Sequence, residues 1–111
     1  MADGSVQVFS TATFARWLRR LKDESARVAI LARIARLEDG LWGDVRSIGD
    51  AVVEFRVMQG PGYRLYGMRH GCKVVLLLCG GDKGSQRFDI ARAKRLARRI
   101  RQEGAFDEES V

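Results

Sequence analysis

The chain carries little of what most enzymes use for chemistry: one histidine, two cysteines and one proline among 111 residues. The histidine, His70, precedes Gly71 in a run that reads as a hairpin turn, so an exposed turn residue is expected there. Serine–histidine and cysteine–histidine mechanisms both need that side chain and are set aside. Cys72 and Cys79 fall on what reads as one strand at odd spacing, which sends them to opposite faces and leaves them reduced, in or near the core. Without ligand spacing among these residues no metal site is expected, and no cofactor is called for. Gly80-Gly81-Asp82-Lys83 lacks the first glycine of a GxxxxGK[ST] phosphate loop, and HExxH is absent. No segment approaches the ~20 apolar residues of a membrane span or has the form of a signal peptide. A cytoplasmic protein with no membrane role is the expectation.

Acidic residues are scarce in one half of the chain. Residues 56–101 hold twelve Lys/Arg against Asp82 and Asp89, whereas residues 1–50 hold eight against seven, and the net charge is +6. That bias attracts polyanions, which makes nucleic acid the leading partner class. The length is that of one domain, 1–111, able to bury roughly 60–70% of its unfolded surface without metals or disulfides. An ordered core over about 6–102 is expected, with an acidic, frayed tail at 103–111.

Periodicity places the elements. Val6–Phe9 reads as a short strand. Phe14, Trp17, Leu18 and Leu21 form an i, i+3, i+4, i+7 stripe, with Thr11 or Thr13 available as its cap. A second helix spans Ala26–Glu38, burying Ile30, Ile34 and Leu37 and stopping at Gly40. Arg16, Arg19, Arg20, Arg27, Arg33 and Arg36 are expected on the solvated side of this helical hairpin. Leu41–Asp50 reads as a connection. Three strands follow: one over Val53–Met58, one over Tyr63–Met68, and a nearly continuous apolar one over Lys73–Cys79, covered on both faces and ended by Gly80-Gly81. A last helix from Asp89 to Gln102 turns Ile90, Ala93, Leu96, Ala97 and Ile100 inward and Arg92, Lys94, Arg95, Arg98, Arg99 and Arg101 outward. The order β-α-α-β-β-β-α predicts an α+β fold whose helices pack on one face of an antiparallel sheet.

Five polar residues lie at or near strand ends: Arg56, Arg64, Lys83, Tyr63 and Tyr66. If Arg56 and Arg64 share a face and escape internal ion pairs, they form a cationic patch that Lys83 can join; a one-residue slip of register would separate them. Clustered cations hold a phosphate and stabilise charge that grows during phosphoryl transfer. In RNA the 2′-hydroxyl supplies the nucleophile, so missing histidines and carboxylate pairs are tolerable, and a tyrosine can stack a base or position a proton. The plainer alternative pairs Arg56 with Glu54 or Asp50, solvates Arg64 and buries both tyrosines.

From Val6 to Ile100 the chain resembles the RelE/ParE superfamily of toxins from bacterial toxin–antitoxin modules, and within it the HigB-like addiction module killer branch. The resemblance is carried by the opening Phe14, Trp17 and Leu18, by Arg33-Ile34-Ala35-Arg36-Leu37 before Gly40, Gly43-Asp44, Glu54-Phe55-Arg56, Gly60-Pro61-Gly62-Tyr63-Arg64-Leu65-Tyr66, Leu76-Leu77-Leu78-Cys79-Gly80-Gly81-Asp82-Lys83, Gln86 and Asp89-Ile90. Phe55 stands where leucine is common, and Gly84 where a small polar residue is usual. The resemblance implies a RelE-like fold, with an antiparallel sheet against an N-terminal helical hairpin and a basic amphipathic helix at the C-terminus. It implies a metal-independent mRNA endoribonuclease (an mRNA interferase) that cuts on the ribosome and arrests translation. Arg56, Arg64, Lys83 and Tyr66 would be catalytic, and Tyr63, Gln86, Arg92, Arg95 and Arg99 RNA-binding. The partner would be a helix-turn-helix, HigA-like antitoxin in a hetero-oligomer. The ParE side of the superfamily instead inhibits DNA gyrase without cutting RNA, and an inactive relative would only bind its antitoxin.

Overall fold

A computed structural model describes residues 4–104. The order is β1 (Gln7–Ser10), α1 (Ala12–Arg20), α2 (Glu24–Glu38), β2 (Val45–Gly49), β3 (Val52–Val57), β4 (Tyr63–His70), β5 (Val74–Asp82), a 3-10 turn (Lys83–Ser85) and α3 (Gln86–Gln102). The fold is α+β, with five strands in the order β1-β5-β4-β3-β2. Consecutive strands from β2 to β5 are antiparallel, but β1 lies parallel to β5, so the sheet is mixed rather than antiparallel. Hairpin turns fix the direction of consecutive strands only; β1 enters no hairpin, and alternation alone could not orient it.

The helices pack on both faces, not one. On the first face, Phe14 of α1 and Ala26, Ile30 and Leu37 of α2 meet Val53, Phe55, Leu65, Val75 and Leu77. On the second, Ala93 and Ala97 of α3 meet Val52, Tyr66, Met68, Leu78 and Cys79, with Ile90, Leu96 and Ile100 alongside. A bulge at Leu78 of β5, opposite the step from Tyr66 to Gly67 of β4, lets Leu78 and Cys79 both join this second core.

Local chemistry explains the helix starts. Thr11 accepts from the Phe14 amide and Asp23 from the Ala26 amide, so α2 begins two residues before its sequence limit. Gly40 ends α2 at φ +87°, where a side chain would strike the Gly4 carbonyl. Two of the hairpin arginines are not solvated. Arg33 is buried in α2, donating to the carbonyls of Arg56 and Asp44 with its guanidinium over the Phe55 ring. Arg27 donates to the Leu18 and Leu21 carbonyls and so satisfies the end of α1.

Three further expectations are corrected. The Leu41–Asp50 connection contains β2, whose two apolar side chains divide between the faces, Val45 joining the first core and Ile48 the second, so that neither face shows a period of two. Gly80 and Gly81 do not end the last strand but carry it to Asp82, because neighbours occupy the space of their missing side chains. A Cβ on Gly80 would lie 2.4 Å from the Trp17 ring, and one on Gly81 1.8 Å from Asp89 Oδ2. Cys72 lies outside β5 and is exposed rather than near the core, while Cys79 is buried; both are free. Residues 105–111, most of the expected acidic tail, lie outside the described residues.

Candidate functional site: a cationic cleft at the end of the sheet

The β3–β4 hairpin sets the site. Its register places Arg56 directly opposite Arg64 and Glu54 directly opposite Tyr66, so all four project from the α3 side of the sheet. The connecting loop, Met58 to Gly62, is tied to the end of β5 by the Lys83 amide, which donates to the Gly62 carbonyl (3.0 Å). Asp82 accepts from the amides of Gly84 and Ser85 and fixes the turn that carries Lys83. The result is a cleft of about 430 Å³ lined by Arg56, Arg64, Lys83, Tyr63 and the loop residues, with no acidic side chain in its wall.

The shared face expected for Arg56 and Arg64 is therefore present, but freedom from ion pairs is not. Arg56 makes a two-pronged pair with Asp44, Nε to Oδ2 at 3.1 Å and Nη2 to Oδ1 at 3.2 Å. Both of its members are about half exposed, at 48% and 49%. Arg64 lies 3.7 Å from Glu54 through Nε, and its side chain is only 12% exposed. It makes no hydrogen bond there; Arg64 Nε is buried without a partner.

Glu54 organises the floor of this region, and the sequence reading gave it no role beyond an alternative partner for Arg56. Its side chain is fully buried. Oε1 accepts from Arg46 Nε at 2.7 Å, while Oε2 accepts from the Tyr66 hydroxyl and from Gln86 Nε2, each at 2.9 Å. Burial alone would raise the Glu54 carboxyl, but the hydrogen bonds from Arg46, Gln86 and Tyr66 outweigh it and hold the group below its ordinary range. Tyr66 is pushed far up by burial and by its bond to Glu54. A glutamate flanked by Val52, Val53 and Phe55 inside a strand was the available signal: such a group, once buried, must be heavily hydrogen-bonded.

The proposed catalytic tyrosine is thereby corrected. Tyr66 is fully buried, its proton committed to Glu54, and it can neither stack a base nor exchange a proton with a ligand. Tyr63 lines the cleft, but its ring is buried edge-on against Trp17 and offers a base no open face. Gln86 binds Glu54 and pins the first turn of α3 to β3 instead of facing a ligand. Arg95 and Arg99 are exposed on α3 and Arg92 is half-buried; none of the three lines the cleft. Arg98 and Arg101 are spent internally, on the carboxylate and carbonyl of Asp50 respectively. Cys79 is no nucleophile, since burial pushes its thiol up to about 12. Asp89 is buried under Gly81 and raised by that burial, against a hydrogen bond from Ser85. Among the described residues no cluster of His, Cys, Asp and Glu could hold a metal ion, and no helix is long and apolar enough to cross a membrane.

Fold and site together define a small α+β protein with a five-stranded mixed sheet and a cationic cleft at one end of it. No protein-family model matches the chain. It is 44% identical over 96 residues, 86% of its own length and 97% of the relative's, to a protein of Haemophilus influenzae described as uncharacterized, and it belongs to the family of that protein.

Proposed function

We propose that the chain is the toxin of a bacterial toxin–antitoxin module, a RelE-like member of the RelE/ParE superfamily, and that it cleaves mRNA on the ribosome. The observation that carries the proposal is the convergence of Arg56, Arg64 and Lys83 on one cleft with no acid in its wall. Such a site suits a phosphodiester: the cations grip the phosphate and stabilise charge as the RNA 2′-oxygen attacks, giving a cyclic phosphate and a 5′-hydroxyl. The Arg56–Asp44 pair is no obstacle. An exposed pair of this kind is worth about 0–1 kcal/mol, and a phosphate can displace the aspartate. Exposed Arg95 and Arg99 supply further contacts to RNA backbone. A helix-turn-helix antitoxin would mask the toxin in a hetero-oligomer, in the cytoplasm.

Induced expression with mapping of mRNA 5′ ends tests the reading. Wild-type chain is expected to arrest growth and cut mRNA, and Arg64→Ala to do neither while still folding and binding the antitoxin. Cleavage that survives in Arg64→Ala, in a translation reaction with ribosomes, refutes the assignment. The burial of Tyr66 favours a second reading, because it removes the tyrosine assigned to proton transfer beside the cations: a toxin that binds its target, such as DNA gyrase, without cutting RNA. That reading predicts intact mRNA and inhibited supercoiling; harmless expression would instead mark an inactive relative.

A further inference from the structure

We propose that Arg46, on the edge strand β2 and outside the cleft, is a positioning residue that keeps Arg64 available to an incoming anion. The inference rests on the reading of Arg64 as a phosphate-gripping group. Two guanidinium groups stand beside the single charge of Glu54. The register of β2 on β3 sets Arg46 directly opposite Glu54, and Arg46 takes Oε1 at 2.7 Å. Tyr66 and Gln86 occupy Oε2 at 2.9 Å each. Arg64 reaches only to 3.7 Å from Oε2, with its Nε hydrogen unaccepted although buried.

A carboxylate accepts about four hydrogen bonds, and three are filled here. Tyr66 and Gln86 already fill Oε2, the oxygen that Arg64 approaches, and Arg46 holds Oε1; without Arg46 that oxygen is left open and the Arg64 guanidinium can turn to it for a charge-assisted bond. The cluster would then change from two cations and one anion to a closed, neutral, mostly buried pair, which an anion in the cleft would have to break. With Arg46 in place, the Glu54 charge is already answered and the surplus charge stays on Arg64 at the cleft wall. Arg46 does this at little cost to itself, since 57% of its side chain is exposed and keeps its hydration.

The test uses the whole chain, a fluorescein-labelled single-stranded RNA of about a dozen nucleotides and two readouts. Fluorescence anisotropy gives affinity, and the Arg64 Hε/Nε resonance reports whether that N–H has an acceptor. Arg46→Ala is expected to weaken RNA binding about tenfold, the loss of one charge-assisted contact. It should also shift the Arg64 Hε signal downfield and slow its exchange with water, and Arg46→Lys should restore both. Should Arg46→Ala fail to fold, Arg46→Met keeps the aliphatic stem and answers the same question. An unmoved Hε signal overturns the proposal even if affinity falls, because Arg46 would then act as a distant charge only. Unchanged affinity in Arg46→Ala, with binding lost in Arg64→Ala, overturns the positioning role and leaves the cleft reading intact. Unchanged affinity in Arg64→Ala overturns both.

Discussion

Glu54 and Arg64 lie within ion-pair distance, at 3.7 Å, yet the structure predicts that removing them will have very different consequences for stability. Glu54→Ala takes the acceptor from a buried tyrosine hydroxyl, from the Gln86 amide and from the Arg46 guanidinium, and removes the counter-charge beside Arg64. The Arg46 contact is discounted, because that side chain is more than half exposed and returns to water. An orphaned buried hydroxyl costs about 1–3 kcal/mol, and a mostly buried cation without its counter-charge adds to that. The expected loss is about 3–5 kcal/mol, a large share of the ~5–15 kcal/mol that holds a domain of this size together. Arg64→Met should cost no more than about 1 kcal/mol, since the guanidinium gives up no hydrogen bond to Glu54 and the methionine keeps its stem.

Urea denaturation followed by tryptophan fluorescence measures both, provided the slope is unchanged so that the midpoint reports stability alone. A shift in melting temperature of roughly 4 °C per kcal/mol gives an independent check. The reasoning fails if Glu54→Ala stays within about 1 kcal/mol of wild type, or if Arg64→Met costs as much as Glu54→Ala. Either result would mean that Glu54 is not the acceptor on which this part of the interior depends.

Two predictions follow from other particulars. Asp50 and Ala51 form the two-residue β2–β3 turn with φ of 57° and 63°, so Ala51→Gly, which removes the Cβ from a left-handed position, should stabilise the fold by about 0.5–1 kcal/mol in the same denaturation assay; a loss of stability would contradict it. Glu54, held below its ordinary value of 4.5, contributes stability that is present above that pH and lost as pH falls through its folded value, so the wild-type advantage over Glu54→Gln should shrink in acid; an advantage that stays constant from neutrality to about pH 3 would show the carboxylate is not held down.

The frame of the molecule was legible because it depends on periodicity. The stripe from Phe14 to Leu21, the stop at Gly40 and the inward face of the last helix all came from the sequence pattern, and the structure keeps each of them. What was hidden depends on the partner across space. Arg33 looks like any helix-surface arginine until Asp44 and the β3 backbone are brought to it. β2 is invisible to a period of two because its only two apolar side chains, Val45 and Ile48, go to opposite faces of the sheet. The two-faced burial of the last strand already required helices on both sides, so the one-sided expectation conflicted with a feature of the same sequence. For the site, the meeting of Arg56, Arg64 and Lys83 could be anticipated from strand ends, whereas the burial of Tyr66 could not. In an alternating strand a tyrosine reads the same whether its face meets solvent or a helix.

The charge balance around the cleft shows why ion pairs need not close it. Arg56 is matched by Asp44, but in an exposed pair that an anion can exchange into at small cost. Arg46 and Arg64 share the single charge of Glu54, which leaves one positive charge over. Lys83, exposed on its turn, makes no ion pair among the described residues and adds a second. Two uncompensated charges facing a wall without acids exceed what one phosphodiester neutralises, so an anion with two adjacent phosphates satisfies the site better than an isolated one. A nucleic-acid backbone supplies that pair, and an acidic side chain of a protein supplies only a single charge. On that reading the cleft owes its positive surplus less to the number of cations than to the shortage of carboxylates in its wall, with three acceptor positions of the buried Glu54 already taken by Arg46, Tyr66 and Gln86.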